Sequence, residues 1–166
     1  LEGLTIAYVG DGNNVANSLM IGAALVGMDF RIAAPEGYWP RDNVLRLAQR
    51  LAAKSGAHIL CTEDPAFAVR GADVVYTDVW TSMGQEEERE QRLAAFAGFQ
   101  VDGRLFSVAK GDAIFMHPLP AHRGEEVASE VIDSPQSAVF LQAENRMHVQ
   151  KAILVRLLKK DQQAES

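Results

Sequence analysis

Four short polar segments hold the residues of this chain that can do chemistry, and each sits after an apolar run or at the head of a helical stretch. Asp78-Val79-Trp80-Thr81-Ser82-Met83-Gly84 follows one such run. A carboxylate there stands at the rim of a crevice and can pair with a ligand ammonium, while Ser82 and the loop amides can bind a carboxylate. Together they suit an amino acid head group, although a strand-end turn capped by Asp78 accounts for the same residues. Gly10-Asp11-Gly12-Asn13-Asn14 follows another run; its glycines permit a tight turn, and the helix behind it offers free N–H groups to an anion. Either a ligand role for Asn14 or simple helix capping by Asn13 or Asn14 fits this segment.

The third segment is His117-Pro118-Leu119-Pro120-Ala121-His122-Arg123-Gly124. Its prolines imply a rigid, extended backbone around Leu119 whose carbonyls point in fixed directions and can hold an amide or amine. His117 falls at a strand end, where a structural histidine and a catalytic one are both admissible. The fourth segment is Glu144-Asn145-Arg146. If it opens a helix, Arg146 lies against the positive end of the macrodipole, a placement that suggests a phosphate or carboxylate ligand. A dinucleotide fingerprint is incomplete here and is the weaker reading: Val15 stands where GxGxxG needs its third glycine, and Ala33-Ala34-Pro35 ends the second strand without a ribose-binding acid.

The elements that must carry these segments alternate between short apolar runs and stretches of helical period, the pattern of βαβ units. Strands are expected at Leu4–Val9, Phe30–Ala34, His58–Cys61, Asp73–Thr77 and Ala113–Met116. Helices are expected at Asn14–Met28, from a cap at Asp42 to Gly56, at Pro65–Val69, from Gln85 into Phe96, at Glu125–Val131 and at Glu144–Lys160. The fold class is therefore α/β: a Rossmann-like open, mostly parallel five-stranded sheet with helices on both faces. In such sheets ligands bind beyond the carboxyl ends of the strands.

Composition narrows the function. With 16 Lys plus Arg against 22 Asp plus Glu, the net charge is −6, and no dense basic patch is present to hold a phosphate backbone. The single cysteine, Cys61, excludes an internal disulfide and a multi-thiolate zinc site; it reads as an inert thiol in a strand. No apolar run approaches the roughly 20 residues of a membrane span. Leu1-Glu2-Gly3-Leu4 lacks the pattern of a signal peptide, so a cytoplasmic protein is expected. At 166 residues one domain is expected.

Gly-Asp-Gly-Asn-Asn, Asp-Val-Trp-Thr-Ser-Met-Gly, His-Pro-Leu-Pro and Glu-Asn-Arg occur in one order. That set resembles the second, ornithine-binding half of the ornithine carbamoyltransferase family, over about Leu4 to Leu158. Aspartate carbamoyltransferases share the fold and a His-Pro-x-Pro segment but lack the Asp…Ser-Met-Gly arrangement. The resemblance implies transfer of a carbamoyl group from carbamoyl phosphate to the δ-amine of L-ornithine, giving L-citrulline and phosphate, with no metal or organic cofactor. It implies that Asp78 takes the α-ammonium, while Asn14, Ser82 and Met83 help hold the α-carboxylate. It also implies that the segment His117–Pro120 presents the Leu119 carbonyl to the carbamoyl group, and that Arg146 approaches carbamoyl phosphate. The catalytic set on this reading is Asp78, His117, Leu119 and Arg146, with Pro118 beside the carbamoyl group.

Two departures qualify the likeness. Most of the family has cysteine where this chain has Pro118, which supplies neither thiol nor N–H. The Ser-Thr-Arg-Thr segment that cradles phosphate belongs to the family's first domain and is missing, so the 166 residues are expected to be inert alone. Expected partners are ornithine, carbamoyl phosphate, the missing N-terminal domain and, in the full-length protein, further copies in a trimer-based homo-oligomer. The alternative is a stand-alone amino-acid-binding or regulatory module of the same fold. N-acylated ornithine and putrescine are weaker rival substrates, because neither offers Asp78 an α-ammonium.

Overall fold

The computed structural model describes residues 1–81, 84 and 86–163. Five strands, β1 (Thr5–Val9), β2 (Asp29–Ala33), β3 (Ile59–Thr62), β4 (Val74–Thr77) and β5 (Ile114–Met116), form one sheet in the order β3-β2-β1-β4-β5. Every pairing is parallel. The chain starts at the centre of the sheet, winds outward through β2 and β3, then returns to β4 on the other side of β1. The strand order thus reverses between β1 and β4, and at such a switch point the connections leave in opposite directions and open a crevice.

Central strands of a sheet covered on both faces must be apolar on both. All five residues of β1 and all four of β4 are buried. Ile6 and Tyr8 of β1 join Phe30, Ile32, Val74 and Tyr76 in one core, against the alanines of α1 (Asn14–Val26) and α2 (Asp42–Ser55). The small side chains at Ala16, Ala23, Ala24, Ala48 and Ala52 let these helices lie close to the sheet and to each other, where the Ser55 hydroxyl donates to the Ala24 carbonyl. Ala7 and Val9 point the other way, into a core with Val75, Phe115, Phe96, Val101 and Val127. Helices α3 (Pro65–Val69), α4 (Arg89–Ala95) and α6 (Ser129–Ile132) supply this second layer, with α5 (Gly103–Phe106) packed beside it. α1 stops where Gly27 adopts a left-handed φ of 76°.

Far from the crevice, Asp73 ties the amino ends of β1 and β4 together: it accepts the Thr5 N–H at 2.9 Å and the Lys110 ammonium at 2.6 Å. The Lys110 hydrogen bond, then that from Thr5, holds the Asp73 carboxyl below its ordinary range. A carboxyl whose folded-state pKa is depressed adds stability that is complete above its unfolded value of about 3.9 and is lost as pH falls through the folded value. Asp73→Asn should therefore cost stability at neutral pH, and the gap to the wild type should shrink with acidification. Denaturant unfolding between about pH 6 and pH 3 checks this, since those limits bracket the unfolded carboxyl's titration; a pH-independent gap would reject it.

Several sequence expectations need correction. α2 has Arg41 at its cap without a side-chain hydrogen bond, and Asp42 is its first residue. α5 was not foreseen. The helix expected at Glu125–Val131 is only Ser129–Ile132, because Val127 is taken into isolated parallel bridges with Val101 and Arg123. The last helix, α7, runs Val139–Gln163 rather than from Glu144. It starts early because Ala138 donates to the Phe115 carbonyl beside β5 and accepts from Gln142 at 2.8 Å, which anchors the first turn at the sheet edge. Residues 143–159 are all exposed. Among the described residues no helix is long and apolar enough to cross a membrane.

Candidate functional site

A cleft of about 680 Å3 opens at the carboxyl ends of β1, β4 and β5, over the switch point. Asn14 and Val15 of α1, Asp78 and Val79 after β4, Pro118, Leu119 and Pro120 after β5, His122, Arg89 of α4 and Arg146 of α7 line it. Of the residues singled out in the sequence, Asn14, Asp78, Pro118, Leu119 and Arg146 thus meet at one wall. Ser82 and Met83 lie outside the described residues.

Asp78 is 7% exposed. One carboxylate oxygen accepts its neighbour's amide, Val79 N–H, at 2.8 Å, and the other accepts Asn13 Nδ2 at 2.9 Å. The Asn13 amide cannot turn away, because its oxygen caps α1 by accepting the Val15 and Ala16 N–H groups at 2.9 and 3.1 Å. Capping therefore falls to Asn13, and Asn14, one residue on, is exposed and faces the cleft. Tyr8, fully buried beneath, donates to the same Asn13 oxygen at 3.4 Å. Burial, then the negative charges of Asp78 and Asp11, push its phenol well above the ordinary range, so it stays a donor. Both donors to Asp78 are neutral, and among the described residues no cation forms an ion pair with it. An ionised carboxylate offers about four acceptor positions, and two are filled.

Leu119 departs from the expected extended form. Its φ is +52°, in the left-handed region, and the Leu119–Pro120 peptide is cis. A left-handed φ at a non-glycine costs on the order of 1–3 kcal/mol and persists only where surroundings hold it. Here the holder is His117: its Nδ1 accepts the Leu119 N–H at 2.9 Å. Among the described residues no hydrogen bond reaches the Leu119 carbonyl, which leaves it available. His117 itself is fully buried, with Nε2 3.2 Å from Glu126 Oε1. Both ring nitrogens are used inside the protein and His117 does not line the cleft, so its expected chemical role gives way to shaping the Pro-Leu-Pro turn. Its backbone N–H donates to Gln142 Oε1 at 3.1 Å, and Gln142 Nε2 donates to the Tyr76 hydroxyl at 2.7 Å.

Arg146 lines the cleft and also a neighbouring cavity it shares with Asn14, Val15 and Pro118. Its position is the eighth of α7, so the macrodipole argument built on a helix starting at Glu144 does not apply. Arg89, His122, Glu126 and Asn13 were missed as site residues. Arg92 was missed too: it is buried, forms ion pairs with Asp11 at 2.9 Å and Glu88 at 3.0 Å, donates to the Trp80 carbonyl and lies over the Tyr38 ring. That knot pins the loop after β4 to the loop after β1, the two walls on which Asp78 and Asn14 stand. The (i, i+4) spacing of Glu88 and Arg92 was the available signal.

Gly12 closes the same loop. Its N–H donates to the Tyr38 carbonyl at 2.7 Å, and a Cβ would sit 2.3 Å from Pro40 N and 2.4 Å from the Trp39 carbonyl carbon. Gly12→Ala should destabilise by about 1–3 kcal/mol, lowering the melting temperature by roughly 2–4 °C per kcal/mol. Thermal unfolding decides it: an unchanged melting temperature would show that the loop yields freely.

Among the described residues, His122, Glu125 and Glu126 form the one group of three metal-ligand side chains, with ligand atoms within 4.8 Å of one another. Glu125 is ion-paired with Arg89, and one Glu126 oxygen already accepts the His122 backbone N–H. They form a hydrogen-bonded cluster of the protein's own making. Cys61, half-buried in β3, has its thiol pKa raised by burial, as an unreactive thiol should.

An all-parallel doubly wound sheet with a cleft over its switch point defines an α/β ligand-binding domain of the Rossmann-like class. The chain belongs to the aspartate/ornithine carbamoyltransferase family: the family model for its Asp/Orn-binding domain matches residues 2–157. It is 60% identical over 158 residues to an ornithine carbamoyltransferase of Symbiobacterium thermophilum, covering 95% of this chain and 51% of that protein. It is 54% identical over 166 residues to one of Bacillus subtilis, covering 100% of this chain and 52% of the relative. The solved ornithine carbamoyltransferase of Pyrococcus furiosus superposes with a TM-score of 0.88 at 56% identity, over 92% of this chain and 49% of that one. The chain spans about half the length of the curated relatives it matches.

Proposed function

We propose that this chain is the ornithine-binding half of an ornithine carbamoyltransferase, which transfers the carbamoyl group of carbamoyl phosphate to the δ-amine of L-ornithine, giving L-citrulline and phosphate. The observation that carries this reading is Asp78: a nearly buried carboxylate on the cleft wall, held only by neutral donors. A buried charge needs a partner, and an α-ammonium is a fitting one. Asn14 and the Ser82-Met83 loop then receive the α-carboxylate. With the head group so fixed, the four-atom arm of ornithine extends along the cleft toward the free Leu119 carbonyl and Arg146, which meet the carbamoyl phosphate. The amine attacks the carbamoyl carbon, and the bond to phosphate breaks with the electron pair leaving on oxygen.

The other, N-terminal half of the relatives' length is assigned to carbamoyl phosphate, and the working enzyme to a cytoplasmic, trimer-based homo-oligomer. The test joins this chain to that half and supplies carbamoyl phosphate with ornithine, N-acetylornithine or putrescine. Citrulline from free ornithine, with negligible turnover of the other two, supports the reading. Equal turnover of putrescine, which has no α-amino acid head, rejects the role of Asp78.

A further inference from the structure

The cleft wall carries a histidine that the reading above leaves idle. Glu126 is fully buried, and its Oε2 has no hydrogen-bond partner among the described residues. Its other oxygen is committed: Oε1 accepts the His122 backbone N–H at 2.6 Å and faces His117 Nε2 at 3.2 Å. Because His117 Nδ1 accepts from Leu119, the neutral His117 ring carries its proton on Nε2 and donates it to Glu126. The remaining oxygen, Oε2, lies 3.8 Å from Nδ1 of His122, whose side chain is 51% exposed and lines the cleft with Asp78 and Leu119. A buried carboxylate behind one imidazole nitrogen favours the proton there and leaves the second nitrogen as a base. A separation of this size closes to a hydrogen bond through a small ring rotation, and catalytic hydrogen bonds commonly tighten only around substrate.

We propose that His122, oriented by Glu126, is the proton acceptor for the attacking amine. This rests on the carbamoyl-transfer reading. A primary alkyl amine is protonated near neutrality, with a pKa of about 10, so a proton must leave before nitrogen can attack, and Pro118 has neither thiol nor N–H to help. His122 Nε2 takes that proton from the δ-ammonium. The freed lone pair forms the C–N bond, the C–O bond to phosphate breaks, and the second nitrogen proton leaves with the phosphate, giving citrulline and hydrogen phosphate. The histidine then returns its proton to solvent across its exposed edge. Among the described residues, Glu125 and Glu126 lie beside His122 in its own loop, and the charged groups that share its cleft are Asp78 after β4, Arg89 of α4 and Arg146 of α7. Arg89 is ion-paired with Glu125, and Glu126 Oε2 stands behind the ring at Nδ1.

The test uses the full-length polypeptide and compares wild type with His122→Gln, a change at a half-exposed side chain that leaves the buried Glu126–His117 contact intact. Loss of a general base should lower kcat by about 10²–10⁴-fold while KM for ornithine changes little. Wild-type kcat should level off at a lower pH than kcat of the variant, which should keep climbing with pH because water must then take the proton. An unchanged kcat, or a reduced kcat with the wild-type profile, overturns the proposal and leaves carbamoyl transfer standing. If wild type makes no citrulline, the underlying reading fails and His122 falls with it.

Discussion

Replacing Asp78 with asparagine should weaken ornithine binding to the full-length enzyme by about 10²–10³-fold, the range expected when one member of a buried hydrogen-bonded charge pair is removed. The change is nearly isosteric, so the cleft keeps its shape, and what it removes is the charge. It also turns one acceptor into an N–H2 facing either Val79 N–H or Asn13 Nδ2. Asn13 cannot flip to compensate without giving up the cap of α1. The decisive comparison is with 5-aminopentanoate, which has the reacting amine and the carboxylate but no α-ammonium. Wild type should prefer ornithine strongly, and Asp78→Asn should bind the two almost alike. Calorimetric titration of both ligands measures this. An equal loss for both would mean that Asp78 only supports the loop, and the ammonium pairing would be wrong.

Asp78 was legible in the sequence because it is a charge placed directly after an apolar strand, and a parallel sheet turns that position into a crevice wall. The strand core was legible for a related reason: runs such as Thr5–Val9 and Val74–Thr77 are buried on both faces, so their apolar character is continuous. What could not be read was set by side-chain contacts that follow no repeat. The left-handed Leu119 is held by His117, His117 by Glu126, and Glu126 by the His122 backbone, a chain of local bonds that no periodicity encodes. Two prolines alone predict an extended track, and the histidine bends it. Arg146 was found for a mistaken reason, since Glu144 mimics a helix start inside a helix that begins at Val139. Arg89 reads as one more charge in an acidic, solvated stretch, and only the return of α4 over the cleft makes it a wall residue.

The largest effect expected is the difference between this chain alone and the chain joined to the other half of its relatives' length. Alone, it should produce no citrulline above the uncatalysed background; joined, it should turn over at an enzyme's rate. Orienting two reactants in one site supplies about 7–11 kcal/mol, a factor on the order of 10⁵–10⁸ in rate, and preorganised donors on the departing phosphate add to it. This chain's wall presents a carboxylate, a carbonyl and an arginine, which on the proposed reading position one reactant and touch the other at its edge. α7 leaves apolar side chains uncovered: Phe140 is 78% exposed, and Leu141, Met147, Ile153, Leu154, Leu157 and Leu158 also face solvent along one exposed helix. An apolar surface of that extent is a docking face or a route to self-association. Sedimentation of the chain alone should therefore show concentration-dependent oligomers that vanish when the other half is attached, and the citrulline assay should rise with the same step. Enzyme-like turnover by the isolated chain would refute the two-half mechanism, because it would mean that one wall suffices to hold both reactants in line.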